Sequence, residues 1–146
     1  MTINAINNYN VGEVIQFASV NGAGLASTST SFVDITSATI TITPTSASSN
    51  ILIMASFASL NALGVNSIMY FQCLRGATVI AGNPTSGVYA GNAVVSAEQT
   101  NAMNHFVAID SPATTGATTY KFQQRSSSGS TITTSNLDMI VMEIGA

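Results

Sequence analysis

The chain has 146 residues, enough for one domain, and only 6% of them are charged, against ~25% in typical soluble domains. Three dispersed basic residues, Arg75, Lys121 and Arg125, and a net charge of −3 cannot neutralise a run of phosphates, which argues against nucleic-acid binding. Cys73 is the single cysteine, so the fold holds by packing and not by an internal disulfide.

In chain order, the first ten residues are polar and Asn-rich and read as an N-terminal arm ahead of a domain spanning residues 11–146. A first strand is expected over residues 14–20. The Gly-rich Asn21-Gly22-Ala23-Gly24 follows, then a short strand over residues 31–35. The clearest alternation is Ala38-Thr39-Ile40-Thr41-Ile42-Thr43, ended by Pro44, which cannot donate to a ladder. Residues 51–60 are apolar on both sides, as in a strand covered on two faces. Residues 67–74 alternate, with Met69, Phe71 and Cys73 on one face. Arg75-Gly76-Ala77-Thr78 turns this strand into Val79-Ile80, and a loop rich in turn formers runs from residue 81 to 92. Further strands are expected over residues 93–97, 103–109, 118–125 and 137–144.

Period-two alternation of Thr, Val, Ile, Phe and Tyr, with no sustained 3.6-residue period, makes the chain all-β. Nine or ten short strands with turn signals between them predict an antiparallel jelly-roll sandwich. The Thr-x-Thr pattern at residues 39–43 occurs once, which rules out a solenoid of copied coils. No run approaches the ~18 apolar residues of a membrane span, and the start carries neither a basic nor an apolar leader region. Membrane insertion is therefore not expected, and synthesis as a soluble cytosolic product is.

The sequence offers little chemistry. His105 is the only histidine, and with Asp110 and Glu98 it would make a scattered ligand set. Because it alternates with Met103, Val107 and Ile109, His105 reads as an inward or interfacial side chain. A Cys73–His105 pair lacks any orienting motif, and Cys73 shares a face with Met69 and Phe71, as a buried inert thiol would. There is no Gly-x-Ser-x-Gly elbow. Asp138 and Glu143 lie five apart on one strand and point to opposite faces. No catalytic residue, metal ligand or cofactor site is expected. Lys121 and Arg125 share the outward face of their strand, opposite Tyr120, Phe122 and Gln124, and are expected to be solvated or to pair with Asp110 or Glu98.

The surface must be built from hydroxyls and amides, since 19 Ser, 18 Thr and 13 Asn supply its polarity. The last segment is apolar on both faces, Leu137, Met139 and Val141 on one, and Ile140, Met142 and Ile144 on the other. One face fits the sandwich interior. The other needs a cover, and a neighbouring subunit supplies it most simply, which makes Ile140, Met142, Ile144 and His105 the candidate oligomer interface.

Several runs carry a family resemblance. The segment Ser29-Thr30-Ser31-Phe32-Val33-Asp34-Ile35, the segment from Ala38 through Pro44 to Ile53, Leu74-Arg75-Gly76-Ala77-Thr78-Val79-Ile80, Asp110-Ser111-Pro112-Ala113 and the ending Met139-Ile140-Val141-Met142-Glu143-Ile144 resemble a domain of tailed-bacteriophage virion proteins, including those of cyanophages. The resemblance covers most of the chain after about residue 11 and rests on strand-and-turn patterns. It implies a trimeric jelly roll of the kind found in fibre tips and capsid decoration proteins. With no repetitive shaft ahead of the domain, the implied role is a capsid decoration or cement protein that forms a homotrimer and bridges capsomers. Its partners would be the major capsid protein or other virion proteins, its location the capsid surface after synthesis in the host cytoplasm. Ile3, Ile6 and Tyr9 of the arm would clasp neighbouring capsid subunits. The alternative is a tail-fibre or receptor-binding tip, in which Asn83, Tyr89 and Asn92 of the long loop would contact a host glycan.

Overall fold

A computed structural model of the chain describes residues 12–61, 68–82, 88–90 and 100–146. They form ten strands: β1 (Val14–Gly22), β2 (Leu25–Ser27), β3 (Val33–Ile42), β4 (Asn50–Asn61), β5 (Met69–Arg75), β6 (Thr78–Ala81), β7 (Val88–Ala90), β8 (Thr100–Asp110), β9 (Thr118–Ser126) and β10 (Ile132–Ile144). No helix occurs among the described residues. One sheet runs β1-β10-β4-β8 with β2 attached to β10, and the other runs β3-β9-β5-β6 with β7 attached to β5.

The antiparallel pairing is nested: β1 with β10, β3 with β9, β4 with β8, and β5 with β6. That is a long antiparallel ribbon, and rolling it up creates the two further contacts, β10 with β4 and β9 with β5. The result is the expected jelly-roll sandwich, a single all-β domain of two antiparallel sheets.

The core lies between the sheets. Ile51, Ile53, Ala55 and Phe57 of β4 and Leu137, Met139 and Val141 of β10 meet Ile35, Ala38, Ile40 and Ile42 of β3, Met69, Phe71 and Cys73 of β5, and Tyr120 and Phe122 of β9. Phe57 stacks on Phe71 across the gap at 4.1 Å, and Phe106 meets Phe122 edge-on at 4.9 Å. Such aromatic pairs add about 0.5–1.5 kcal/mol each beyond the area they bury.

Two irregularities separate the observed strands from the expected ones. Residues 31–35 and 38–43 were expected as separate strands, but β3 is continuous, with a register shift between Asp34 and Thr39 that moves the inward positions from Ile35 to Ala38, Ile40 and Ile42. In β10 a shift between Ser135 and Asp138, with Asn136 at φ 49°, changes inward parity from Ile132 and Thr134 to Leu137, Met139 and Val141. An extra residue in one strand flips every later side chain to the other face, so the part of β10 before Leu137 breaks the alternation on which its start was placed. β2 and β7 were not expected as strands. The strand anticipated over residues 93–97 lies outside the described residues, as do the arm and most of the long loop.

Residue Gly24 sits where β2 crosses β10. Its φ is +27°, and a Cβ there would lie 1.6 Å from the Thr134 carbonyl oxygen, so only glycine lets the two backbones approach.

Candidate functional site

The two outer faces of the sandwich differ in kind. On the β3-β9-β5-β6 side, Lys121 Nζ reaches Asp34 Oδ2 at 2.9 Å and Gln123 Nε2 donates to Asp34 Oδ1 at 2.6 Å. Gln72 Nε2 donates to Gln123 Oε1 at 2.6 Å, and the Arg125 guanidinium lies 4.2 Å from the Tyr70 ring centroid. Lys121 and Gln123 together hold the Asp34 carboxyl below its ordinary value. Lys121 finds its partner within its own sheet, whereas Arg75 reaches across to β8 of the other. Lys121 takes Asp34 and not the expected Asp110 or Glu98; Asp110 is engaged by Arg75, at 2.9 and 3.0 Å. Glu98 lies outside the described residues.

The outer face of the β1-β10-β4-β8 sheet carries no such network. Strand register lines its side chains into rows that cross all four strands. Phe17, Met142, Leu52 and Ile109 form one row, and Ser19, Ile140, Met54 and Val107 the next. A third row runs Asn21, Asp138, Ser56 and His105, and Met103 lies beyond it opposite Ala58. Phe17, Met103, Val107 and Ile109 are 66–71% exposed, while Leu52, Met54, Ile140, Met142 and Ile144 are half-buried. Residues 51–60 were expected to be covered on two faces. β4 does lie between two strands, yet among the described side chains only its Ile51, Ile53, Ala55 and Phe57 side is buried.

Of the ionisable groups on these four strands, Glu143 and Asp110 turn away from this face, leaving Asp138 and His105 on it. Asn21 Nδ2 donates to Asp138 Oδ1. A groove of about 210 Å³ runs over β4 between β8 and β10, lined by Met54, Ser56, His105, Val107, Asp138 and Ile140. The inward alternative for His105 is corrected here: Phe106 takes the inward position, and His105 sits outside with Met103, Val107 and Ile109. Sequence alternation alone could not choose between the two parities of β8.

The Cys73–His105 pair weighed from the sequence does not come together. Cys73 lies between the sheets with its thiol pushed up to about 12 by burial and by the nearby Asp110 charge, while His105 is on the far side of the β1-β10-β4-β8 sheet, so the two cannot form a nucleophilic pair. Among the described residues, no three His, Cys, Asp or Glu side chains are grouped to hold a metal. Of the long-loop candidates, Tyr89 lies on β7 opposite Tyr70; Asn83 and Asn92 fall outside the described residues, as do Ile3, Ile6 and Tyr9 of the arm.

The polar group that sequence reasoning undervalued is Glu143. It is fully buried on β10, and it accepts bonds from Gln16 Nε2 at 2.6 Å, Thr45 N at 2.8 Å and Thr45 Oγ1 at 2.7 Å. Burial alone would push its pKa up, but the bonds from Gln16, Thr45 and Ser49 outweigh this and hold it down to about 2. It ties the β3–β4 loop and β1 to the last strand.

No protein-family model and no curated protein matches the chain. Its fold is similar to that in the structure of infectious bursal disease virus Gx strain, with a TM-score of 0.53, 12% identity, and 90% of this chain aligned to 33% of that one. The T13 viral particle of the same virus gives a TM-score of 0.51 at 11% identity over 89% of this chain and 31% of the other. Dimeric latent PorU from Porphyromonas gingivalis gives 0.51 at 6% identity over 97% of this chain and 14% of that one. The chain therefore spans about a third of the virus chains it matches, and at these identities the likeness is one of fold.

Proposed function

We propose that the chain is a structural component of a virus particle, a capsid decoration or cement protein of a tailed bacteriophage that forms a homotrimer and stabilises the head by bridging capsomers. The observation that carries this reading is the exposed apolar face of the β1-β10-β4-β8 sheet, on a domain whose other outer face carries its own ion pair and hydrogen bonds. An apolar face of that extent marks an interaction surface, and its role is adhesion and not turnover. The fold likeness to chains of virus particles and the resemblance of the strand-and-turn runs to phage virion proteins support the same reading. Repetition of a modest contact over many copies supplies strength that one contact lacks.

Cryo-electron microscopy of the parent particle tests the proposal. Density for this chain is expected on the head surface, between capsomers. Density at the tail tip over a bare head would overturn it in favour of the fibre-tip reading.

A further inference from the structure

The rows on the apolar face carry information about what covers it. Four strands at ~4.8 Å spacing, over about nine residues at ~3.4 Å, give roughly 600 Å² in plan. Side-chain relief raises the accessible area toward ~800 Å², the area one partner buries in a standard interface, and in a closed trimer each copy divides it between its two neighbours. The face offers a docking partner one carboxylate, Asp138, one imidazole, His105, and no Lys or Arg. A strongly charged partner would find only these two groups to pair with, whereas a second copy brings the matching imidazole and carboxylate.

Symmetry then restricts the arrangement. Asp138 on β10 and His105 on β8 stand at the same height, on either side of Ser56, about 10 Å apart by two strand spacings. Rotation about an axis parallel to the strands leaves heights unchanged, so each row meets the same row of the next copy, apolar on apolar and polar on polar. An axis running across the strands would set Asp138 against Asp138 or against an apolar row, and either leaves a carboxylate unpaired as it loses water.

From this we infer that copies of the chain meet on the outer face of the β1-β10-β4-β8 sheet around an axis parallel to its strands. The edge strand β8 of one copy seats on the β4–β10 face of the next, bringing His105 against the neighbouring copy's Asp138. The inference rests on the proposed self-association. It adds the surface, the direction of the axis and the pair that fixes the register. The His105–Asp138 contact serves as the pin; the Leu52, Met54, Ile140 and Met142 region supplies the area.

A charge-swap series on the full chain tests it, with sedimentation velocity at neutral pH reading the oligomer and far-ultraviolet circular dichroism the fold. The wild type is expected to sediment as a trimer. His105→Asp sets carboxylate against carboxylate and should weaken association by about tenfold or more, as should Asp138→His. The double variant His105→Asp/Asp138→His should recover most of the loss. Thr39→Asp, on the opposite outer face, should leave the trimer intact. Failure of the double variant to recover, or a trimer indifferent to both single variants, would overturn the inference while leaving the virion reading in place. A wild-type chain that stays solitary at every concentration would overturn the inference and the trimeric assignment together.

Discussion

Tyr120, fully buried on β9, donates its phenolic hydrogen to Asp110 Oδ2 at 2.7 Å, and so joins one sheet to the end of β8 in the other. Arg75 Nη1 grips the same carboxylate from β5. Burial, and then the bond to Asp110, raise the Tyr120 pKa above its ordinary value. Tyr120→Phe keeps the ring in the core and removes only this bond to a charged group, at a cost of about 1.5–3 kcal/mol. Urea unfolding measures it. Asp110→Ala should cost more, because it strips Arg75 and Tyr120 of their shared acceptor.

Acid should loosen the molecule through Glu143. Its folded pKa is held down to about 2, below the ~4.3 of an unfolded chain. A depressed pKa contributes stability that is present above the unfolded value and is lost as pH falls through the folded one. Thermal unfolding should therefore show a falling midpoint between about pH 4.5 and 2. Glu143→Gln should flatten that fall and cost about 1–3 kcal/mol at neutral pH.

The two sides of β10 should respond oppositely to a carboxylate. Ile140→Asp lies on the outer face; it should dissociate the proposed trimer while changing the stability of a solitary copy by less than about 1 kcal/mol. Val141→Asp buries an unpaired acid in the core and should prevent folding. Sedimentation and circular dichroism on the pair separate association from folding.

Gly24→Ala should destabilise by at least ~2 kcal/mol, since both its positive φ and the nearby Thr134 carbonyl oppose a Cβ. Hydrogen exchange should place the loss first in the β2–β10 pairing.

Thiol reagents should ignore Cys73 in the folded protein. With its pKa pushed up to about 12 and its sulfur buried, it presents almost no thiolate at neutral pH. Labelling should track global unfolding in denaturant, and fast labelling of the native chain would contradict the packing described for β5.

Local pattern carried the fold further than the site. The inward sets of β3 and β9 follow directly from alternation, because Ala38, Ile40 and Ile42, or Tyr120 and Phe122, are apolar opposite polar neighbours. Where both parities are apolar the pattern has no direction. In β8 Met103, Val107 and Ile109 look as core-like as Phe106, and only the packing of Phe106 against Phe122 decides which side faces in. The parity flip at Asn136 needed backbone geometry. The buried cage of Glu143 joins Gln16 and Thr45, 127 and 98 residues away, a separation at which sequence spacing carries no signal. The candidate interface was legible only as a surplus of apolar residues on the last strand. Its continuation through Leu52, Met54 and Phe17 emerges once register sets those strands side by side.

The nested pairing bears on synthesis in the cell. β10 lies between β1 and β4, so the sheet that bears the apolar face has a gap at its centre until β10 has been made and has docked. A prematurely terminated product lacking β10 would leave β1 without its partner and could never present aligned rows to a neighbour. Completion of this sheet is thus coupled to the chain having been made through β10.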